Sequence, residues 1–420
     1  MEEHRLIQTV RWRVAAMLFL AGGLNYLDRS ALAVAAPAIQ SDLGLSSAAL
    51  GFVFSAFFLG YALFNFVGGW AADRFRAHRV LSLSIVAWSL FCGLTATAWN
   101  TTSLLVLRVF FGAAEGPFGS TSAKIVSQCF PKREVSSSIA LGASGTPIGA
   151  VVAGPLVALL VAQEGWRVAL AIVASLGLVF AVAWARFGTA WTEAAQENSG
   201  LSRPATALTP ERTEVRRRLL WQPVLVANAL AYFAYTYLLS LFLSWLPTFF
   251  MSRYHLDLRA AAFSASAPWI MAFVGLWAGA LLTDVLFRRT NRLLWSRWLP
   301  QVGGLAIAAV GTALLAEAST ATGAMAVGAV ALFALFATGT SFWAVVQDVV
   351  PVERVGRASG LTHLIANLGG VVGPAVTGAI VQHTASFRLA WWVAAGLCLA
   401  AVVGVVTAAS FAAPGLSSRE

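Results

Sequence analysis

Apolar runs of about 20 residues constrain this chain more than any other feature, because each could cross a bilayer as one helix. The 420-residue chain is 59% hydrophobic and only 11% charged, whereas a soluble domain usually carries about 25% charged residues. The runs are continuous, and transmembrane strands would instead read as segments of about ten residues with alternating polarity. The sequence therefore predicts an all-α membrane protein.

Twelve runs are expected to form transmembrane helices, and one polar stretch divides them into six plus six. They lie at about 12–34, 48–70, 79–99, 101–124, 136–162, 166–187, 222–249, 260–287, 295–317, 323–349, 356–383 and 387–412. The predicted organisation is an N-terminal six-helix bundle (1–187), a cytoplasmic linker (188–221) and a C-terminal six-helix bundle (222–420).

The distribution of basic residues predicts the orientation in the membrane. The loops on one side carry most of the 28 Lys and Arg residues, whereas the other side carries Arg167, Arg253, Arg259 and Arg388. Because cytoplasmic loops are enriched in Lys and Arg, both termini are expected in the cytoplasm. The net charge of +10 is then explained by those loops, and no nucleic-acid partner is expected.

The two halves of the sequence repeat each other. Residues 131–167 and 351–388 share their spacing, with Pro131 matching Pro351 and Gly149 matching Gly369. Parallel six-helix repeats are a known plan of transporters, in which the substrate site lies near the bilayer midplane between the repeats. The repeat therefore favours a transporter.

The loop motif "GGWAADRFRAHR" resembles the signature of the major facilitator superfamily. Gly69 and the pair Asp73-Arg74 match that signature, Arg76 stands where a glycine is usual, and "GALLTDVLFRR" places Asp284 in a degenerate second copy. The resemblance implies the major facilitator fold, with twelve helices in two bundles.

Four further motifs resemble the anion–cation symporter branch, which includes bacterial sugar-acid transporters and sialin-like carriers. They are "NYLDRSAL", "LGYALFN", "RVFFGAAEG" and "WLPTFF". The resemblance implies a multi-pass protein of the bacterial inner membrane, functional as a monomer, that imports a small organic anion with protons. A hexonate, hexuronate or aldarate is the favoured substrate.

Two acids and two bases lie within the predicted spans, namely Asp28, Arg29, Arg108 and Glu115. Each ionisable group at bilayer depth costs about 2.5–3.5 kcal/mol on insertion scales, so such groups are expected to pair or to face water. Arg108 and Glu115 share one helix face about 10 Å apart along the axis, whereas Asp28 and Arg29 point about 100° apart.

These four residues carry the predicted chemistry. Arg29 is expected to bind the substrate carboxylate, because guanidinium can hold a carboxylate bidentately. Asp28 and Glu115 are expected to bind the coupled protons, with Arg108 modulating them, since a low dielectric favours the neutral carboxyl and a nearby arginine the charged one. The alternative is a static buried network that fixes helix packing.

Other candidate substrate contacts follow from helical spacing and from the family resemblance. Tyr61 shares a helix face with Phe57 and Asn65, and His363 shares one with Asn367, where the family more often has Asn at both positions. A packing role is the alternative for Tyr61, and a simple hydrogen bond is the alternative for His363. The remaining candidates are Tyr26, Ser144, Thr146, Tyr232, Tyr235, Thr340, Ser341 and Trp343.

Charged residues at the cytoplasmic ends are expected to form a gate of ion pairs between the two halves rather than a binding site. They are Asp73, Arg74, Lys132, Arg133, Asp348, Glu353 and Arg354. Cys92, Cys129 and Cys398 show no metal-binding or disulfide spacing, so no metal, cofactor or enzymatic activity is expected.

The predicted function is therefore proton-coupled import of a sugar acid by alternating access. The nearest alternative is a symporter for another carboxylate, such as tartrate or an aromatic acid. A drug–proton antiporter would gain little from Arg29 if its drugs are cationic. A membrane sensor would be expected to carry an added soluble domain.

Overall fold

The computed structural model describes residues 2–197, 222–291, 293–350 and 355–416, and these ranges are helical apart from short connections. Residues 198–221 of the predicted linker, together with Glu353 and Arg354, lie outside the described residues. The side chains of Lys132 and Arg133 are likewise not described.

Residues 2–197 form seven α-helices and one π-helical turn. These are α1 (Glu2–Leu43), α2 (Ser47–Arg74), α3 (Ala77–Thr95), α4 (Thr101–Glu115), α5 (Phe118–Cys129), α6 (Lys132–Ala183), the π-helix Trp184–Gly188 and α7 (Thr189–Glu197). The second half forms α8 (Pro223–Tyr254), α9 (Leu258–Ser266), α10 (Trp269–Thr290), α11 (Leu293–Glu317), α12 (Ala321–Val349), α13 (Val355–Thr384) and α14 (Arg388–Leu416).

Two predicted spans are interrupted where the sequence places a proline. The run at 101–124 is divided between α4 and α5 by Gly116 and Pro117, and the run at 260–287 is divided between α9 and α10 by Ala267 and Pro268. Proline has no backbone N–H and its ring obstructs the preceding turn, so each helix restarts after the break. Each of these spans therefore consists of two shorter helices.

Helix α6 contains the predicted fifth and sixth spans. Its backbone leaves helical geometry at Gly165, where φ is 79° and ψ is 168°. A positive φ is accessible to glycine without steric strain. The turn therefore lies between residues 162 and 166, where the two apolar runs were expected to separate.

Within the described ranges, nine helical segments are long and apolar enough to cross a membrane. One of them, Ser138–Gln196, extends over 59 residues and contains the turn at Gly165. Helix α1 and the α4–α5 pair are not among the nine, and they carry the four charged residues singled out above.

The described residues fall into two compact units. The first unit combines residues 2–197 with Leu243–Ser266, and the second unit combines residues 222–242 with the described residues from Ala267 onward. The later part of α8 and all of α9 thus belong to the first unit. A Cβ on Gly154 of α6 would lie 2.5 Å from the carbonyl oxygen of Ala262 on α9, so these helices approach closely.

The start of the predicted linker is helical and packs on the first unit. Glu193 of α7 accepts a hydrogen bond from Arg76 at 2.7 Å and lies 3.3 Å from His78 Nε2. The guanidinium of Arg13 lies 5.4 Å from the ring centre of Trp191. These contacts join α7 to α1 and to the start of α3.

Glycines bring α2 and α4 into backbone contact. A Cβ on Gly60 would overlap the carbonyl oxygen of Val109, and a Cβ on Gly112 would overlap the carbonyl oxygen of Phe57. Protein interiors are close-packed and transmit such displacements. The contact therefore sets how far the rings of α2, Phe57 and Tyr61, lie from the charged residues of α4, Arg108 and Glu115.

Replacing Gly112 with alanine should lower the apparent Tm of the detergent-purified protein, because overpacking a core costs about 1–3 kcal/mol. The matched control is Gly404→Ala on α14, where no atom lies within 4 Å of the added Cβ. Thermal unfolding followed by tryptophan fluorescence provides the measurement. An unchanged Tm for Gly112→Ala would contradict the proposed α2–α4 contact.

Candidate functional site

The four charged residues singled out in the sequence are all buried in the first unit. The exposed fractions are 1% for Asp28, 8% for Arg29, 4% for Arg108 and 0% for Glu115. Buried charges are costly unless they are paired and hydrogen-bonded. Their partners therefore determine what the site can do.

Arg29 and Glu115 form a buried ion pair between α1 and α4. Arg29 Nε donates to Glu115 Oε1 at 2.9 Å, and Arg29 Nη2 donates to the same oxygen. The other carboxylate oxygen, Oε2, accepts no hydrogen bond from the part of the chain that the structure describes. The pair thus uses one oxygen of Glu115 and two nitrogens of Arg29.

Three aromatic rings surround the Arg29 guanidinium. Its central carbon lies 4.9 Å from the ring centre of Tyr26, 4.7 Å from that of Phe57 and 4.9 Å from that of Tyr61. A cation over an aromatic face gains about 0.5–2 kcal/mol, more when water is excluded. We call Arg29, Glu115, Tyr26, Phe57 and Tyr61 the arginine cage.

Asp28 points to a different part of the first unit. Trp88 and Cys92 of α3 lie near its carboxylate, and a Cβ on Gly177 of α6 would lie 3.7 Å from Asp28 Oδ2. Neither the Trp88 indole nitrogen nor the Asp28 carboxylate forms a hydrogen bond with the described residues. The two adjacent charges therefore contact different helices, as the 100° turn between neighbours predicts.

Arg108 differs from the sequence expectation. Its guanidinium lies 4.8 Å from the ring centres of Phe57 and Phe111, and it forms no ion pair within the described ranges. Arg108 and Glu115 therefore do not form an ion pair, because Glu115 turns towards Arg29. The spacing along α4 places Arg108 and Glu115 on one face. The packing of α1 against α4 determines that Glu115 pairs with Arg29.

A second cluster lies in the second unit and consists mainly of aromatic residues. The Tyr232 ring stacks on Phe342, with centres 4.5 Å apart and planes at 8°. His363 lies 5.1 Å from the Trp343 ring and 5.7 Å from the Tyr232 ring. Trp343 is 39% exposed. We call Tyr232, Trp343, His363 and Asn367 the aromatic platform.

Asn367 fixes the imidazole of His363. Asn367 Nδ2 lies 2.7 Å from His363 Nδ1 and donates to the backbone carbonyl of His363 at 2.8 Å. This is the contact expected from their spacing of one helical turn.

Two buried residues that were not predicted from the sequence support the aromatic platform. Asn228 of α8 donates to the Phe342 carbonyl at 3.1 Å, and Gln301 of α11 donates to Asn228 Oδ1 at 3.1 Å. Both residues are almost completely buried. Their signal was available, since each is an amide within an otherwise apolar span and buried amides require partners.

The remaining candidate substrate contacts differ in their environments. Tyr235 is buried and packs beside Phe342. Thr146 donates to the Ala143 carbonyl at 2.8 Å, and Ser144 likewise donates to its own helix. The hydroxyls of Thr340 and Ser341 make no hydrogen bond with the described residues.

The charged residues at the predicted cytoplasmic ends form pairs inside each unit. Asp73 pairs with Lys124 at 2.7 Å in the first unit, and Asp348 pairs with Arg297 at 3.1 Å in the second. Arg74 is exposed. Both pairs therefore join helices of the same half, whereas ion pairs between the halves were expected.

Comparison with known proteins gives a consistent result. A family model described as Major Facilitator Superfamily matches residues 18–374. The chain is 39% identical over 396 residues to a hexuronate transporter of Bacillus subtilis (strain 168), which covers 94% of this chain and 93% of that protein. It is 28% identical over 402 residues to a probable galactarate/D-glucarate transporter of the same organism, covering 90% of this chain and 88% of that protein.

A solved structure shares the fold. The crystal structure of a bacterial homologue of the human lysosomal transporter Spinster, in an inward-facing and occupied conformation, matches with a TM-score of 0.71 at 20% identity. The match covers 96% of each chain.

Replacing Glu115 with glutamine should lower the apparent Tm. Removing one partner of a buried ion pair leaves an uncompensated charge, which costs about 3–5 kcal/mol. The matched control is Asp42→Asn, which removes the exposed pair with Arg167 and should change the Tm little, because exposed pairs are weak. Equal, small changes for both variants would contradict a tightly coupled Arg29–Glu115 pair.

Proposed function

Since this chain belongs to the Major Facilitator Superfamily, we propose that it is a proton-coupled symporter that imports sugar acids across the bacterial inner membrane. The observation that carries the proposal is the arginine cage, in which a buried arginine is held by a carboxylate that a substrate could replace. Both termini are proposed to lie in the cytoplasm, with twelve helices arranged in two six-helix bundles and the monomer as the functional form.

The substrate class is proposed from the relatives together with the charge of the site. The relatives are named for hexuronate and for galactarate or D-glucarate transport, and all of these are carboxylates with several hydroxyl groups. Arg29 suits the carboxylate, and the hydroxyls of Tyr26 and Tyr61 can hydrogen-bond to the polyol. A hexuronate is the favoured substrate, because its transporter is the relative at 39% identity.

Coupling is proposed to arise from competition for Arg29. A substrate carboxylate and the Glu115 carboxylate are the same chemical group, so both cannot hold the same guanidinium nitrogens. Protonation of Glu115 removes its negative charge and weakens its bond to Arg29, because the Coulomb attraction between the two opposite charges is lost. The freed Arg29 then binds the anion, so proton binding and substrate binding favour each other.

Asp28 is proposed as a second proton site. Among the described residues, no basic side chain forms an ion pair with Asp28. Its carboxylate is almost completely buried. An unpaired buried carboxylate is strongly disfavoured relative to its neutral form. Asp28 can therefore hold a proton while Glu115 remains paired with Arg29. Arg108 is proposed to influence both acids through its positive charge.

The remaining site residues are proposed in supporting roles. The aromatic platform, together with Tyr235, Thr340 and Ser341, is proposed to bind the sugar portion of the substrate. Thr146 is proposed as a further substrate contact. Asp73, Arg74 and Asp348 are assigned to cytoplasmic gating. A symporter for another carboxylate, such as tartrate, would use the same cage with a different platform.

Uptake by proteoliposomes tests the proposed function. Protein reconstituted into liposomes with an alkaline interior should accumulate radiolabelled galacturonate or glucuronate above equilibrium, and a protonophore should abolish the accumulation. Accumulation that is insensitive to the protonophore, or equal uptake by protein-free liposomes, would contradict it.

Asp28→Asn should abolish proton-driven accumulation while preserving substrate exchange between equal substrate pools, because the amide can no longer release a proton. The matched control, Asp42→Asn, should accumulate substrate normally, since Asp42 lies in an exposed pair with Arg167. Uphill uptake by Asp28→Asn at the wild-type rate would remove Asp28 from the coupling mechanism.

Arg29→Lys should weaken substrate binding by roughly 30-fold, because a hydrogen bond to a charged group contributes about 2 kcal/mol and lysine cannot form the paired hydrogen bonds of arginine. Lysine keeps the positive charge but lacks the planar fork of donors. Isothermal titration of the purified protein with galacturonate measures the Kd. Binding within a factor of about three of wild type would show that the fork of Arg29 does not hold the carboxylate.

A further inference from the structure

The hydrogen bonds of Asn367 determine which nitrogen of His363 carries the proton. Asn367 Nδ2 donates to the His363 carbonyl oxygen, which fixes the orientation of the amide because a carbonyl oxygen can only accept. The same nitrogen lies 2.7 Å from His363 Nδ1. Since the amide nitrogen is a donor, Nδ1 must accept, and the neutral imidazole then carries its hydrogen on Nε2.

His363 therefore presents a fixed N–H donor beside an aromatic face. The imidazole and the Trp343 indole are tilted by 34°, and the Tyr232 ring meets the imidazole edge-on at 80°. Trp343 is exposed, whereas His363 and Tyr232 are half-buried. A face directed towards lipid would leave the Nε2–H without a partner in hydrocarbon, which is costly.

Ring stacking and buried hydrogen bonds support this face from behind. Tyr232 stacks on Phe342, whose carbonyl is held by Asn228 and, through it, by Gln301. A preorganised site loses less conformational freedom when a ligand binds. The platform therefore offers a flat apolar surface and a hydrogen-bond donor at a defined position.

A closed sugar ring matches this combination better than an open chain. A pyranose has an apolar face of C–H groups with hydroxyls at its edge, so one face can stack on an indole while an edge hydroxyl accepts from Nε2–H. A hexonate or an aldarate is an open polyol that lacks a fixed apolar face. Such a chain must also be immobilised bond by bond, at a cost in conformational entropy.

We propose that Trp343 and His363 make this protein selective for hexuronates in the pyranose form over open-chain sugar acids. The inference rests on the proposed function, because it takes the aromatic platform to bind the sugar portion of the transported anion. Trp343 supplies the stacking surface, His363 supplies the donor, and Asn367 is the positioning residue that fixes the tautomer.

Binding measurements with matched ligands test the selectivity. The purified protein is titrated with galacturonate, as the ring form, and with galactonate and galactarate, as open chains of the same carbon number. Galacturonate is expected to bind about tenfold or more tightly than galactonate. Trp343→Leu should bring the two Kd values close together, mainly by weakening galacturonate. The control Trp295→Leu removes an exposed tryptophan of α11 and should preserve the preference.

Two substitutions at His363 separate the donor from the bulk of the side chain. Gln places its amide N–H near the position of Nε2, so His363→Gln should retain most of the preference for galacturonate. Asn is too short to reach that position, so His363→Asn should reduce the preference about as much as Trp343→Leu. Loss of the preference in Gln and Asn variants alike, with unchanged Tm, would overturn the role of Nε2–H.

The outcomes distinguish this inference from the proposed function. Binding of galacturonate and galactonate with equal affinity, or a preference that survives both Trp343→Leu and His363→Asn, would overturn the ring selectivity and leave sugar-acid transport standing. Failure of every sugar acid to bind the wild-type protein would overturn both.

Discussion

The ion pair between Arg29 and Glu115 is the interaction on which the account of this protein depends. It joins α1 to α4 in the interior of the first unit, and both side chains are almost completely removed from solvent. Buried ion pairs contribute little net stability, because the cost of removing two charges from water offsets their attraction. A pair that adds little stability but is costly to break on one side is well suited to an exchange of partners.

The arginine cage shows how such an exchange could proceed without exposing the guanidinium. The rings of Tyr26, Phe57 and Tyr61 surround Arg29 while it holds Glu115, and in the proposed exchange they stay in place when it holds the substrate. The free-energy difference between Arg29 bound to Glu115 and Arg29 bound to the substrate then depends on the relative strength of these two contacts. A proton on Glu115 shifts that difference directly, and coupling requires nothing more than this linkage. The close approach of α2 and α4 at Gly60 and Gly112 holds the α2 rings of the cage near Glu115 on α4.

The sequence predicted the helical class, the order of the apolar runs and the buried charges, because these follow from bilayer thickness and from the cost of charge in hydrocarbon. It also predicted the His363–Asn367 contact, since residues one helical turn apart face the same side. The breaks at Pro117 and Pro268 were readable from the chemistry of proline but were overlooked. The partner of Glu115 was not readable from spacing, because the rotation of α1 against α4 decides between Arg29 and Arg108. Asn228 and Gln301 were recognisable as amides within apolar spans, but the contact between them was not predictable because it joins residues that are distant in sequence.

Proton uptake on substrate binding tests the central claim most directly. Galacturonate at matched pH is added to the purified protein in weakly buffered detergent solution, and a pH indicator follows the free protons. Competition between Glu115 and the substrate for Arg29 predicts that binding draws protons from solution, and that Glu115→Gln takes up fewer protons for each anion bound. Tight binding without net proton uptake, or with the same uptake in Glu115→Gln, would contradict it.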